Sequence, residues 1–205
     1  PYTEMIKTLR DTIHERTGCR DIRLRAGVGL RFRETEEYIE RFRLDEYFGR
    51  GKAIGVAPVD EGIPIETEIG TLYGLKKVYD ADWIVHAHNT DIREIHFHRM
   101  VDRAVKPFGM SYARIETRST YHQDLGPRAA NFVARAFFNS PFVRNKWTFA
   151  CFLLHDIKAI ISILLGVASS LCFRIWGLEK KGTTGPKYLT HRCRRFFVTS
   201  VTCPS

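Results

Sequence analysis

Short apolar runs alternate with amphipathic stretches along the first 150 residues, and this alternation limits the possible folds more than any other feature of the chain. Apolar side chains recur at helical spacing in TEMIKTLRDTIHERTG, a segment that stops at Gly18. The next segment, DIRLRAGVG, is typical of a strand that leads into a glycine turn. Helix and strand patterns that alternate in this way predict an α/β fold.

The same alternation continues downstream. RETEEYIERF predicts a second helix and GKAIGVAP a second strand, while GIPIETEIGTLYGL predicts a turn followed by a short strand or the start of a helix. WIVHAH is the clearest strand, ARIETRST is expected to form a strand or an ordered loop, and GPRAANFVARAFFN predicts a helix with Pro127 near its first turn. We therefore expect a layered, Rossmann-like sheet with flanking helices in residues 1–150.

The pattern changes after Leu154. AIISILLGVASSLCF carries no charge and is followed by a basic, polar segment. The apolar run is shorter than the roughly 20 residues that a membrane span needs. Three interpretations stay open: a tail unrelated to the preceding fold, such as the product of a frame change; a buried helix; or a membrane-associated segment at 159–178. We therefore divide the chain into an α/β domain, residues 1–150, and an atypical C-terminal tail, residues 151–205.

Charge and cysteine content narrow the class of protein. Most of the net charge of +9 lies after residue 150, whereas charges of both signs alternate in RETEEYIERFRLDEYFGR. Such alternation is typical of a solvated helix face, so we expect no nucleic-acid partner. No CxxC spacing and no charged-then-apolar N-terminal segment occur. These features predict a reduced, cytoplasmic domain.

Three residues at fixed intervals carry the strongest indication of chemistry. Lys106 follows His96 by ten residues, and His122 follows Lys106 by sixteen. Two imidazoles and one amine are suited to hold a metal-bearing organic cofactor and to move a proton beside it. Gly27 and Gly29 follow a predicted strand and could form either a phosphate-binding turn or a plain tight turn.

The intervals resemble those of the nickel-pincer-dependent lactate racemase family, in its N-terminal, cofactor-tethering domain. That family has the motif Glu-Pro-His-Tyr-Phe, then a lysine ten residues after the histidine and a second histidine sixteen after the lysine. The corresponding residues here are EIHF at 94–97, Lys106 and His122. The family's Gly-Thr-His-Arg-Pro loop before a Thr-Glu-Glu helix start has a partial counterpart in GLRFR at 29–33, followed by TEE at 35–37. The resemblance spans about residues 21–122.

The resemblance implies an isomerase that racemises or epimerises a small 2-hydroxy acid by hydride transfer. Its cofactor would be the nickel-pincer nucleotide, a pyridinium bisthiocarboxylate mononucleotide that carries nickel. By position, Lys106 would be the covalent tether and a catalytic residue, His122 the nickel ligand and His96 a catalytic base. Gly27 and Gly29 are the expected cofactor-binding glycines.

One position departs from the family pattern. Arg31 stands where the family has its first catalytic histidine, and an arginine stays protonated near neutral pH, so it cannot act as a base. An arginine can bind a carboxylate, which makes Arg31 the expected substrate-binding residue. In this comparison the segment after residue 150 is expected to replace the family's second domain. It is therefore expected to be an incomplete or diverged member, and one expected outcome is that it is inactive.

Two alternative functions stay open. A strand at WIVHAH places His86 and His88 on one face, where both could reach one metal, although such a pair can equally be an ordinary surface or interface pair. The first alternative is thus a non-catalytic α/β domain that binds a metal or a nucleotide. The second is a membrane-associated protein that acts through residues 159–178.

Overall fold

A computed structural model describes residues 1–27, 33–89, 100–126, 129–153 and 196–201. The helices are α1 Tyr2–Thr17, α2 Arg33–Arg41, α3 Leu44–Phe48, α4 Lys76–Tyr79, α5 Met100–Gly109, α6 Ile115–Ser119, α7 Ala130–Asn139 and α8 Pro141–Lys146, with a π-helix at Thr120–Asp124. The strands are β1 Ile22–Ala26, β2 Ala53–Gly55, β3 Gly62–Thr67, β4 Gly70–Leu75, β5 Trp83–Asn89, β6 Trp147–Leu153 and β7 Phe196–Val201. The predicted α/β class is confirmed.

A parallel sheet organises the fold. Its strand order is β2-β1-β7-β5-β6, and every neighbouring pair runs parallel. The division proposed at residue 150 falls inside β6, and β7 lies between β1 and β5. The segment after residue 150 therefore contributes backbone to the sheet at two places. Residues 154–195, which include 159–178, lie outside the described residues.

Strand β5 is buried on both faces. Ile84 belongs to a core cluster with residues of α5 and α7, such as Phe108 and Val133. Val85 and Ala87 belong to a second cluster with residues of α1 and β1. Successive side chains of a strand point to opposite faces, so helices cover the sheet on both sides at β5.

Helix α1 forms where its apolar spacing predicted it. Ile6 and Ile13 are buried against the sheet, and Tyr2 Oη donates a hydrogen bond of 3.2 Å to the carbonyl of Ala87. Gly18 ends the helix with φ of 67°, and its N–H donates to the carbonyl of His14 at 2.8 Å. A residue in this left-handed conformation is a common helix stop, and glycine adopts it without strain. The predicted elements at α2, β1, β2 and β5 are likewise confirmed.

GIPIETEIGTLYGL is a complete hairpin, so the predicted turn followed by one short element is wrong. Strands β3 and β4 pair antiparallel, with Ile65 opposite Leu72 and both side chains buried. The chain reverses between Thr67 and Gly70, where Gly70 has φ of 104°. The glycines and the proline of the segment indicated a turn near its start, but they are accommodated within the two strands.

ARIETRST contains helix α6, so the predicted strand or loop is also wrong. Charged residues stand at every second position, Arg114, Glu116 and Arg118, and such spacing is typical of a strand. A five-residue helix is too short to show a helical period of its own. Thr117 holds it in place, because its hydroxyl accepts from the N–H of Tyr73 at 2.7 Å and donates to the carbonyl of Tyr73 at 2.9 Å.

Helices α5 and α7 cross closely on one side of the sheet. A Cβ atom added at Gly109 would lie 3.0 Å from the Cα atom of Ala134, which is tighter than ordinary packing. The absent side chain at Gly109 therefore lets the two backbones approach. Within the ranges that the structure describes, no helix combines the length and the apolar character that crossing a membrane requires.

Candidate functional site

The carboxyl edge of the parallel sheet is where this architecture places a ligand site. The chain leaves β1 at Gly27 and leaves β5 after Asn89, both at this edge because the strands of the sheet are parallel. Gly29 and Arg31 follow β1 in residues 28–32, and His96 follows β5 in residues 90–99. These three predicted site residues lie outside the described residues.

Lys106 lies on α5, the helix that follows β5 in the described part of the chain. The residues Val105 and Phe108 of this helix are fully buried in the core, whereas Lys106 is half-buried. The backbone of His122 lies in the π-helix Thr120–Asp124, and its side chain is outside the described atoms. Both α5 and the π-helix pack against α7, so Lys106 and His122 lie on the same side of the sheet.

Gly27 sits in a tight space at the end of β1. A Cβ atom at this position would lie 3.2 Å from the backbone oxygen of Ser111 and 3.2 Å from the Cγ2 atom of Val56. This close approach is a packing reason for a glycine at position 27. Phosphate binding by Gly27 and Gly29 stays a prediction.

His86 and His88 are buried under α5, so the interpretation of them as a surface pair is wrong. Their exposed fractions are 0% and 1%, and their ring centres lie 5.5 Å apart on one face of β5. The Nδ1 atom of His86 lies 2.8 Å from the hydroxyl oxygen of Tyr112. Burial, with a smaller contribution from the neighbouring His88, holds the pKa of His86 well below its ordinary value. His86 is therefore neutral at physiological pH.

Aromatic rings enclose the histidine pair. The ring centre of His86 lies 6.4 Å from that of Phe108, 5.8 Å from that of Tyr112 and 6.0 Å from that of Phe152. His88 lies 5.5 Å from Phe152. In this setting the Nε2 atom of His86 is buried, and no hydrogen-bond partner for it lies within the described part of the chain. The pair therefore combines nitrogen donors with an apolar enclosure.

No group of three or more His, Cys, Asp or Glu side chains gathers as a metal site within the described ranges. The nitrogen donors that the structure does bring together are those of His86 and His88. The ligand predicted from the family intervals, His122, is described in its backbone alone.

Two residues that sequence reasoning left without a role help to build this region. Tyr112 is fully buried and orients His86, but a lone tyrosine in a sequence carries no indication of such a contact. Arg25 on β1 is 5% exposed, and it donates hydrogen bonds to the carbonyls of Lys77, Leu24 and Lys52. Burial, with the charge of a neighbouring arginine, lowers the pKa of Arg25 to about 10. Arginines at every second position, as in IRLRA, are typical of an exposed strand face, so the sequence gives no indication that Arg25 is buried.

Comparison with family models, with curated proteins and with solved structures found no match for this chain. The resemblance to the lactate racemase family therefore rests on the spacing of residues in the sequence.

Proposed function

We propose that this chain is a lactate-racemase-like isomerase, or a diverged form of one, that acts on a small 2-hydroxy acid. The observation that supports the proposal is the order of strands and helices along the chain. The segments with Arg31 and His96 begin at the carboxyl ends of β1 and β5, and Lys106 lies on α5. We further propose that the sheet and its helices have Rossmann-like layering and that the protein is cytoplasmic.

The side chains fit a nickel-pincer nucleotide in chemical type. Lys106 offers a half-buried primary amine, which can form a covalent bond to a carbonyl-type carbon. His122 offers an imidazole, a ligand that nickel accepts readily. When bound, the cofactor would accept the substrate's hydride and return it to either face of the planar keto acid.

The chain's own residues would bind the acid and move its proton. The guanidinium of Arg31 would hold the substrate carboxylate through paired, charge-assisted hydrogen bonds. His96 would take the hydroxyl proton as the alcohol is oxidised and give it back as the keto group is reduced. Arg31 replaces the family's other base, so His96 is the proposed base that stays. We therefore expect efficient proton transfer only on the side of the substrate that faces His96. Racemisation should then be slow, or absent in this chain.

A mass measurement tests the tether. The full chain is produced together with the enzymes that make the cofactor, and its intact mass and peptide masses are compared with those of Lys106→Ala. We expect the added mass to map to Lys106 and to disappear in the variant. Lys76→Ala is the matched control, because Lys76 is an exposed lysine paired with Glu61 at 2.6 Å. Folded protein with unmodified Lys106 would count against the proposal.

The nickel content of the purified protein tests the assignment of His122 as the nickel ligand. His122→Ala should lower the nickel that purifies with the protein while its circular dichroism spectrum stays unchanged. Interconversion of the two lactate enantiomers, followed by chiral chromatography, then reports turnover. An unchanged nickel content in His122→Ala would show that His122 is not the ligand.

A non-catalytic, metal-binding α/β domain is the second candidate. The buried pair His86 and His88 favours it, because the pair brings nitrogen donors from two side chains together on one face of β5. Bound metal without turnover of any 2-hydroxy acid would support this candidate over the isomerase.

A further inference from the structure

Two imidazoles lie in a core layer whose other residues are mostly apolar. On the face of β5 that carries His86 and His88, the neighbouring strand residue is Ile84, and the covering residues include Phe108 and Tyr112. An aliphatic side chain at either histidine position would pack there without bringing polar atoms into the core. The presence of two nitrogen-bearing rings at this depth therefore requires a chemical reason.

The hydrogen bonding of His86 is incomplete. One ring nitrogen, Nδ1, is satisfied by the hydroxyl of Tyr112 at 2.8 Å. The other, Nε2, is fully buried and has no hydrogen-bond partner among the residues that the structure describes. Buried polar atoms nearly always have a hydrogen-bond partner. Without one, the atom loses its hydrogen bonds to water on folding and gains no other, which costs free energy. A ligand bound to Nε2 would supply the partner that this buried nitrogen lacks among the described residues.

The contact with Tyr112 is the kind that orients a metal-binding histidine. Such histidines commonly use one ring nitrogen for the metal and anchor the other by a hydrogen bond, which fixes the tautomer and the ring orientation. In the tautomer in which Nδ1–H donates to the Tyr112 hydroxyl, the lone pair of Nε2 is available to a metal.

The separation of the two rings suits a shared metal ion. A tetrahedral metal about 2.0–2.1 Å from one nitrogen of each ring, in line with both rings, places the ring centres about 5 Å apart. The observed distance between the centres of His86 and His88 is 5.5 Å. Small rotations of the side chains would close the difference.

We propose that His86 and His88 form a metal site for a divalent transition ion such as Zn²⁺ or Co²⁺, with Tyr112 as the residue that positions His86. Water or another small donor completes the coordination. Because the site uses neither Lys106 nor His122, it is separate from the proposed nickel-pincer chemistry and stands whether or not that proposal holds.

Cobalt titration tests the site in the full chain. The starting protein carries His96→Gln and His122→Gln, which remove the two imidazoles assigned to the other chemistry. We expect one Co²⁺ per chain with the strong visible absorption of a tetrahedral ion. His86→Gln or His88→Gln should weaken binding at least about 10-fold and abolish that absorption. The matched control is His14→Gln, which removes a histidine on α1 whose Nδ1 atom lies 2.8 Å from the Cys19 carbonyl and should leave binding unchanged.

Tyr112→Phe separates a positioning role from a structural one. We expect it to retain the cobalt absorption but to bind about 10–100-fold more weakly, because the ring of His86 loses its anchor. Unchanged binding in both His86→Gln and His88→Gln would overturn the proposal. If neither variant folds, X-ray absorption of the zinc-loaded starting protein decides the question: two imidazole ligands are expected, and one or none would overturn the site.

Discussion

Substitution of Gly109 by alanine tests whether α5 and α7 are as close as the structure indicates. The new methyl group would lie 3.0 Å from the Cα atom, 3.1 Å from the Cβ atom and 3.3 Å from the backbone nitrogen of Ala134. Two of these three atoms belong to the backbone of α7. The strain therefore cannot be relieved by rotating a side chain, and one helix must move.

The expected magnitude follows from two opposing effects. Overpacking a well-packed core costs about 1–3 kcal/mol of the free energy of unfolding. Replacing glycine by alanine returns about 0.4–1 kcal/mol, because the unfolded chain becomes less flexible and Gly109 is not among the glycines with positive φ. We therefore expect Gly109→Ala to be destabilised by about 1–2 kcal/mol.

Urea unfolding followed by circular dichroism measures this change through the midpoint of the transition at unchanged slope. Ala134→Gly is the partner variant, since it removes the methyl group at 3.1 Å. In that background the cost of Gly109→Ala should fall by at least about 0.5 kcal/mol. A Gly109→Ala protein that is as stable as the wild type, or more stable, would refute the close crossing of α5 and α7.

Three further outcomes are expected. A chain ending at residue 195 lacks β7 and leaves the facing edges of β1 and β5 unpaired, so it should aggregate, whereas a chain ending at residue 201 keeps β7 and should stay soluble; centrifugation and light scattering compare them. The hydrogen bond from Tyr47, followed by that from Arg10, holds the pKa of Asp11 below its usual value, so this pair adds stability above about pH 4 that is lost as pH falls through the lowered pKa. Tyr47→Phe should cost less than about 1 kcal/mol at pH 7, because Asp11 is partly exposed, and nothing at pH 2, as followed by thermal melts. Arg25→Met leaves the carbonyl of Lys77 without its buried donor and should cost about 1–3 kcal/mol, whereas Arg23→Met removes a half-exposed pair with Asp21 and should cost under about 1 kcal/mol.

Sequence periodicity predicted α1 and β5 and failed at the short helix α6. Helix α1 has enough turns for Ile6 and Ile13 to define one apolar face, and β5 is a continuous apolar strand between helices. Helix α6 has five residues and is held by the contact of Thr117 with Tyr73, which lies 44 residues away in sequence. Contacts at such a distance leave no local pattern.

The candidate site was predictable in its residue types and less so in its geometry. The two-residue spacing in WIVHAH correctly placed His86 and His88 on one face of a strand. It could not indicate that α5 would cover them, or that Tyr112 would lie at hydrogen-bond distance, because both depend on how the helix packs on the sheet. The convergence of His96, Lys106 and His122 stays a prediction.

The position of β7 also bears on how the protein is made. A ribosome releases β1, β5 and β6 well before residues 196–201, yet β7 fills the central place between β1 and β5. Until β7 has been synthesised, the edges of β1 and β5 that face each other lack a hydrogen-bonding partner. The two parts of the sheet can join only once β7 pairs with both. We therefore expect the sheet to close only after residues 196–201 have been synthesised.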